Sequence, residues 1–229
     1  SYSNQITEQT VQNIEKELLT AAVQACQKAG EIIMNSRDKA LRTFSKNLDS
    51  PAGDIVTEVD LAAQEIIVEE LKPSIEKYNL GLLAEETHDD KSRLQKHAFW
   101  TIDPLDGTRY YAQGEDGFSI SIALVNKQGT CILGVVLNPV SGMLYHSIIG
   151  KGVFRNGSPV QPKSGTGSMT RCADISLKEH PEYTAQRANM DILFCGGASC
   201  NVLHDIENQH SFYAMRKREK PGGCGIWDL

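Results

Sequence analysis

The feature that most constrains this chain is a short apolar run, Trp100 to Ile102, that leads directly into two carboxylates and a turn. Asp103 and Asp106 stand on either side of a Pro-Leu pair, and Gly107 and Thr108 follow at once. Hard divalent cations take several oxygen ligands, and a strand that ends in such a cluster can supply them. The N–H groups of Gly107 and Thr108 could receive a phosphate oxygen if Thr108 opens a helix. We therefore interpret the stretch as part of a metal-dependent phosphomonoesterase.

A Pro-x-Asp-Gly sequence is also ordinary turn chemistry, and taken alone it is more often a surface turn than a metal site. Three further segments favour the site because they occur in a consistent order around it: Gly53–Asp60, Leu83–Glu86 and Trp227-Asp228. Together with Asp103–Thr108, these segments resemble the motifs of the inositol monophosphatase superfamily. Members of that superfamily are magnesium-dependent, lithium-sensitive phosphatases.

Composition and charge limit the classes of partner. With 229 residues, of which 40% are hydrophobic and 23% charged, the chain can bury a substantial core as one large domain or two small ones. Its formal net charge of −6 argues against binding to nucleic-acid polymers or anionic membranes. An acidic protein that handles phosphate needs a local reversal of charge, which bound metal ions would supply. We therefore expect a small-molecule phosphate ester as the partner.

Neither a membrane span nor a secretory signal is indicated. No apolar run approaches the ~20 residues that cross a bilayer, and the polar N-terminus lacks the apolar core of a signal peptide. The six cysteines show neither a CxxC pair nor zinc-ligand spacing. We expect free thiols in a cytoplasmic protein, and neither disulfides nor a zinc site.

The first part of the chain shows helical periodicity. Apolar residues recur at steps of three and four from Val11 to Ile33, which predicts a long amphipathic helix. The polar, turn-rich segment from Phe44 to Gly53 predicts a mobile loop. Ile55–Thr57 then predicts a short strand, followed by a second helix that Asp60 caps and that Lys72-Pro73 ends.

Later segments predict strands. The apolar segment Leu80–Ala84 ends in Glu85 and Glu86, which repeats the design of the Trp100 stretch. If the two strands are neighbours, their acids converge at one sheet edge, where open α/β sheets tend to hold ligands. Alternating apolar and polar residues and three turns then predict an antiparallel meander over residues 118–149.

A segment rich in Ser, Thr and Gly, from Pro162 to Thr170, is the best candidate for a boundary. We therefore divide the chain into an N-terminal α+β domain, residues 1–161, and a smaller C-terminal α/β domain, residues 162–229. The resemblance implies an α+β fold, a layered αβαβα sandwich, with the site between its halves. The second domain is predicted to contain a strand, a turn, a helix and a strand, in this order: Asp191–Cys195, Gly196–Ala198, Ser199–Glu207 and Ser211–Met215.

The resemblance also implies two or three Mg²⁺ ions. It assigns the first ion to Glu85, Asp103 and the carbonyl of Leu105. It assigns the second, where lithium inhibition is expected, to Asp103, Asp106 and Asp228. A third, weaker ion would bind Glu85 and waters, because Mg²⁺ keeps water ligands readily. Such ions activate a water on one side of the phosphorus and stabilise the leaving oxygen on the other.

The implied attacking water lies between Glu85 and Thr108. Asp54 would orient the Thr108 hydroxyl, because a threonine is a poor base alone but can relay a hydrogen bond toward a carboxylate. Lys46 is the candidate for the lysine that the family carries on a mobile loop, although a solvated surface lysine fits equally well. Family members commonly dimerise, so the resemblance implies a homodimer. The implied substrate-binding residues are Asp106, Gly107, Thr108, Gly197 and Ala198.

Asp228 is the position where the resemblance is most strained. Family members continue past the Trp-Asp pair with a further helix and strand, whereas this chain stops at Leu229. Either the sequence is incomplete or the second metal site is impaired. The glycine-rich segment Gly222–Trp227 favours an incomplete sequence, since such a lead-in has little purpose without the helix that follows it.

Two substrate classes stay open, and an inositol-type monophosphate is the leading one. Gly53–Thr57 is closer to the inositol monophosphatase form of its motif. Arg109 and the cations of Arg216–Lys220 instead favour a 3′(2′),5′-bisphosphate nucleotidase that acts on adenosine 3′,5′-bisphosphate, because a cationic cluster can hold a second phosphate. The same cations are also consistent with a solvated loop. A non-catalytic, phosphate-binding homologue is the third interpretation.

Overall fold

The long helix predicted at the start of the chain is present and extends beyond its apolar pattern. A computed structural model describes residues 8–46, 52–165 and 167–214. Helix α1 buries one stripe of side chains at steps of three and four, among them Leu18, Ala22 and Ile33. The α-helices are α1 Glu8–Lys46, α2 Ala52–Tyr78, α3 Thr108–Ala112, α4 Glu182–Arg187 and α5 Ala198–Glu207, with short 3₁₀ helices at Ser92–Gln95 and Ile175–Glu179.

Helix α2 corrects several sequence-based predictions. It begins at Ala52 and continues to Tyr78, so the predicted strand at Ile55–Thr57 and the helix end at Lys72-Pro73 were wrong. The helix tolerates Pro73 because Leu71, two residues before it, and Ser74, directly after it, are buried. That packing offsets the ~3 kcal/mol that an interior proline costs.

The loop predicted from Phe44 to Gly53 was wrong at both ends. Residues up to Lys46 belong to α1, and residues from Ala52 belong to α2. Residues 47–51 lie outside the described part of the chain. Asp60 is not a helix cap either, because it lies inside α2 and is buried.

A seven-stranded mixed sheet forms the centre of the molecule. Its first two strands are parallel, and each later neighbour is antiparallel to the one before it, which confirms the predicted meander. A second, three-stranded sheet is parallel, with β8 between β10 and β9. The strands are β1 Gly81–Ala84, β2 Ala98–Asp106, β3 Ser119–Asn126, β4 Cys131–Asn138, β5 Met143–Ile148, β6 Val153–Arg155, β7 Ser158–Pro159, β8 Thr170–Cys172, β9 Asp191–Leu193 and β10 Ser211–Tyr213.

Strand alternation separates the two faces of the large sheet. Leu133 and Val135 of β4 join the main core together with residues of α1 and α2. Gly134 and Val136, which alternate with them, instead line an apolar cavity of about 390 Å³ with residues of α5. Helix α5 also contacts the small sheet, so it lies between the two sheets. The predicted layered α+β fold is thereby confirmed.

The indole of Trp100 fixes the helix pair to the large sheet. Its ring is fully buried in β2, and its Nε1–H donates to the Ser74 hydroxyl of α2 over 3.0 Å. A buried indole N–H that finds a partner carries no desolvation penalty. The same indole therefore holds the last turns of α2 against the first residues of β2. No helix in the described ranges is long and apolar enough to span a membrane.

Candidate active site at the sheet edge

Two neighbouring strands deliver carboxylates to one edge of the large sheet, as the sequence predicted. Strands β1 and β2 are parallel, with Ala84 opposite Ile102. The Glu85 N–H donates to the Ile102 carbonyl over 3.2 Å, so the next pair in this register is Glu85 and Asp103. Glu85 is exposed, whereas Asp103 is buried at 4% exposure. The side chains of a paired register position share a face of the sheet, so both acids are expected to leave the end of the sheet on the same side.

The end of β2 departs from a regular strand between its two aspartates. The pairing with β3 shifts register there, and Pro104 has no N–H to contribute to the ladder. The Leu105 N–H instead donates to Asp103 Oδ1 over 2.9 Å. The Leu105 carbonyl, which the resemblance implies as a metal ligand, accepts a hydrogen bond from the Thr108 hydroxyl over 3.0 Å. The irregular backbone therefore links Asp103, Leu105 and Thr108 into one unit.

Gly107 makes the turn that carries the chain from β2 into α3. Its φ of 87° lies in the left-handed region, and a Cβ here would stand 2.7 Å from the Gly117 carbonyl oxygen. Only glycine satisfies both conditions. Helix α3 begins at Thr108, which meets the condition set for phosphate binding by its N–H group, and the Thr108 side chain is exposed.

Asp106 joins the large sheet to the start of α5. The N–H groups of Ala198 and Ser199 donate to its two carboxylate oxygens over 3.0 and 2.8 Å, and the Ser119 hydroxyl lies 3.3 Å away. The positive end of a ten-residue helix stabilises a carboxylate in this position. A Cβ on Gly197 would lie 2.4 Å from Asp106, so glycine is required for this approach.

The predicted substrate-binding residues are thereby brought to the same place from both halves of the chain. Gly107 and Thr108 follow β2, and Gly197 and Ala198 open α5 beside Asp106. The N–H groups of Gly197 and Ala198 already donate within the protein, to the Gly117 carbonyl and to Asp106. Their contribution in this structure is to hold the Asp106 carboxylate.

Asp60, which the sequence reasoning treated only as a helix cap, is a further candidate residue for this site. It is 6% exposed, and burial together with the charges of Glu86 and Glu85 raises its pKa to about 8. One turn further along α2, Gln64 accepts the Glu86 N–H and donates to the Thr87 hydroxyl. Helix α2 therefore presents a polar pair to the end of β1. Asp60 and Gln64 are four residues apart. Had α2 been predicted as one helix, this spacing would have placed both side chains on the same helix face.

The raised pKa of Asp60 predicts a pH-dependent stability. In the folded protein Asp60 keeps its proton to about pH 8, whereas its ordinary pKa is 3.8. The folded state therefore binds more protons between these values, so the free energy of unfolding falls as pH rises through that window. Each unit of pKa difference is worth about 1.4 kcal/mol, so a loss of a few kcal/mol is expected.

Urea unfolding in the presence of a chelator, from acidic to mildly alkaline pH, measures this slope. Asp60→Asn should flatten it and stabilise the protein near pH 8, because an amide needs no proton to stay neutral. Asp191→Asn, at an exposed position on β9, is the matched control and should keep the slope of the original chain. An unchanged slope in Asp60→Asn would show that other groups cause the pH dependence.

Some predicted site residues are not placed by the structure. The side chains of Asp54 and Lys46, and the whole of Asp228, lie outside the described part of the chain. Among described groups, the oxygens of Glu85, Asp103 and Asp106 do not all come within 4.8 Å of one another. Each predicted ion takes only two of these three acids, and its remaining donor is the Leu105 carbonyl or Asp228.

The fold and the site together define a class of protein. It is a layered α/β protein with a mixed sheet and with carboxylates at one edge of that sheet. The structure of the extragenic suppressor protein SuhB from Bartonella henselae superimposes with a TM-score of 0.71 at 23% identity, covering 92% of this chain and 79% of that one. Inositol monophosphatase from Anabaena (Nostoc) sp. PCC 7120 gives 0.70 at 22% identity, covering 95% and 78%. At such identity the likeness shows the fold alone.

The chain belongs to the inositol monophosphatase family, because the model of that family matches residues 14–229. It is 36% identical to a histidinol-phosphatase of Chlorobaculum parvum over 163 residues, which are 71% of this chain and 60% of the relative. It is 38% identical to an inositol-1-monophosphatase of Mesorhizobium japonicum over 140 residues, 61% of this chain and 50% of the relative. The matched part thus spans between half and three fifths of these relatives.

Proposed function

We propose that this protein is a Mg²⁺-dependent phosphomonoesterase that hydrolyses a small phosphate ester, with an inositol-type monophosphate as the leading substrate. The observation that carries the proposal is the parallel pairing of β1 with β2, which brings Glu85 and Asp103 to one sheet edge beside Asp106 and the start of α5. The histidinol-phosphatase and inositol-1-monophosphatase relatives support the reaction class. They do not agree on a substrate.

The donor set of this edge suits hard cations. Its groups are carboxylate and carbonyl oxygens, which Mg²⁺ prefers over nitrogen or sulfur ligands. Burial, and after it the charges of Glu86 and Glu85, raises the pKa of Asp60, and cations would offset the negative charge of these glutamates. Glu85, Asp103 and the Leu105 carbonyl would hold one Mg²⁺, and Asp103, Asp106 and Asp228 a second. A third ion would bind at Glu85.

Bound cations would supply an acidified water and would offset the charge of the phosphate. The residues of the chain would orient this water and accept its proton. Thr108, at the start of α3 and hydrogen-bonded to Leu105, would orient the water on the Glu85 side. The sequence assigned its partner carboxylate to Asp54, whereas the buried carboxylate that the structure describes beside Glu85 is Asp60. Cations bound at Glu85 would lower the raised pKa of Asp60, and we propose that Asp60, once ionised in this way, is a second candidate to accept the proton of the water.

The test is release of phosphate from inositol 1-phosphate, histidinol phosphate and adenosine 3′,5′-bisphosphate, with and without Mg²⁺ and lithium. Mg²⁺-dependent, lithium-inhibited turnover of inositol 1-phosphate is the expected result. Preference for the bisphosphate would reverse the substrate order in favour of the nucleotidase, for which Arg109 is the supporting residue. Binding of phosphate esters without turnover would favour a non-catalytic homologue.

Thr108→Ala should lower kcat about a hundredfold and leave KM nearly unchanged, because the hydroxyl acts on the water and not on the substrate. The side chain is exposed, so stability should hardly change. Steady-state kinetics on the best substrate measure the effect, and Thr108→Ser is the control that should restore most of the rate. A change confined to KM would place Thr108 in substrate binding instead.

The assembly and location of the protein are also part of the proposal. A homodimer in the cytoplasm remains the prediction, supported by the family resemblance and by the sequence pattern. Light scattering on the purified chain would give the mass in solution, and a monomer at micromolar concentration would contradict the dimer.

A further inference from the structure

A cluster of two thiols and an imidazole lies in the second half of the chain, apart from the carboxylates of the large sheet. Cys172, Cys195 and His204 each offer one ligand atom, and these three atoms lie within 4.8 Å of one another. Within the cluster, Cys172 Sγ and His204 Nδ1 are 3.2 Å apart. No other such group of His, Cys, Asp and Glu side chains occurs among the residues that the structure describes.

The topology of the small sheet explains the convergence. Strands β8 and β9 are parallel, with Cys172 opposite Leu193. Cys195 follows two residues later, and the two-residue period of an extended chain keeps it on the face that Leu193 occupies. Helix α5 packs on β8 and brings His204 to the thiols. The three residues come from β8, from the segment after β9 and from α5. They are therefore far apart in the sequence and form no short metal-binding motif.

A fourth donor stands beside this cluster. Oδ1 of Asp205 is buried and accepts no hydrogen bond, and it lies 3.9 Å from His204 Nδ1. A buried carboxylate oxygen without a partner is costly, and a cation would satisfy it. The cluster also has a path to solvent, since His204 lines an open cavity of about 360 Å³ together with Leu193 and His210.

We propose that Cys172, Cys195 and His204 bind one zinc-type divalent cation, with Asp205 or a water as the fourth ligand. Thiolate and imidazole donors suit Zn²⁺ and not Mg²⁺, so the site is chemically distinct from the acidic sheet edge. Tetrahedral zinc with bonds of about 2.0–2.3 Å needs ligand atoms about 3.3–3.8 Å apart, which side-chain movements of about an ångström would achieve. Binding would release the protons of both thiols.

The position of the cluster gives the ion a structural role. Cys195 is followed by Gly196 and Gly197, and a Cβ on Gly196 would stand 2.1 Å from the Gly117 carbonyl oxygen. This close-packed segment leads to the α5 N–H groups that hold Asp106. An ion at Cys172, Cys195 and His204 would therefore tie β8, β9 and α5 together at the base of the segment.

Cobalt titration of the reduced, full chain tests the proposal, because Co²⁺ bound to thiolates absorbs strongly through ligand-to-metal charge transfer. We expect this absorption to saturate at one Co²⁺ per chain and to disappear when Zn²⁺ is added. Carboxylate-bound Co²⁺ at the sheet edge gives no such band, so failure of the phosphatase proposal would not affect this result. The same zinc addition should raise the melting temperature.

Cys172→Ser and Cys195→Ser should abolish the absorption and the thermal shift, and His204→Asn should weaken both. Cys131→Ser is the matched control, since Cys131 is exposed on β4 and outside the cluster, and it should change neither. If the buried Cys172→Ser variant fails to fold, the half-buried Cys195 and His204 variants carry the test. Absence of the band in the reduced protein, or its survival in Cys195→Ser, would overturn the proposal. A Cys172–Cys195 disulfide in protein whose reduced form binds no cobalt would also overturn it.

Discussion

Replacing Asp103 by asparagine is expected to lower Mg²⁺-dependent phosphate release at least about a thousandfold, because the variant loses the charge that both proposed ions share. Charge stabilisation by a metal is worth several kcal/mol in the transition state, and about 4 kcal/mol corresponds to this factor. The amide oxygen of asparagine can still accept the Leu105 N–H that Asp103 Oδ1 accepts. The fold should therefore persist while the site fails.

The measurement is kcat on the best substrate as Mg²⁺ is titrated, with circular dichroism to confirm folding. Asp191→Asn is the control, because Asp191 is exposed on β9 in the other sheet. It removes the same charge from the chain without touching the acidic edge. Activity of Asp103→Asn close to that of Asp191→Asn would remove Asp103 from the centre of the site.

Gly107→Ala is expected to destabilise the protein by more than about 2 kcal/mol and to reduce activity as well. At the left-handed φ of 87°, an alanine has a higher backbone energy than a glycine. Its Cβ would also meet two backbone atoms, the Gly117 oxygen at 2.7 Å and the Phe118 Cα at 3.1 Å, which cannot swing away as a side chain could. Relief of the clash would displace Thr108, the next residue, and hence the proposed water site.

Gly129→Ala separates these two costs. Gly129 has almost the same φ, 82°, but a Cβ there has nothing within 4 Å. This variant should lose only about 1 kcal/mol, the backbone term alone. Urea unfolding of both variants gives the comparison. Equal losses would mean that the Gly117 contact adds nothing and that the turn can relax.

The predictions that held are those with a strong local signal. The period of α1, the apolar strands β1 and β2 and the alternation of β3 all followed from side-chain spacing. Each depends on burial or backbone preference within a few residues. The pattern therefore carried enough information without knowledge of the rest of the fold.

The predictions that failed are those in which tertiary packing outweighed a local signal. Pro73 marks a helix end by its own chemistry, yet α2 runs through it because buried neighbours hold the helix on the sheet. Asp60 fits a capping pattern, yet it lies inside that helix facing Glu85 and Glu86. The contact between Asp106 and the start of α5 joins residues far apart in the chain, so no local pattern could reveal it.

By itself, the sequence determined the family, the alternation of helices and strands, and the identity of the acids at the ends of β1 and β2, because these depend on residue type and short-range spacing. Tertiary structure alone decided which distant groups meet. It placed Asp60 near Glu85 and Glu86 and brought the Asp106 carboxylate to the first N–H groups of α5. It also brought Cys172, Cys195 and His204 together. The physical reason is that contact between separate elements depends on sheet register and on the packing of helices over the sheets, which short-range spacing does not encode.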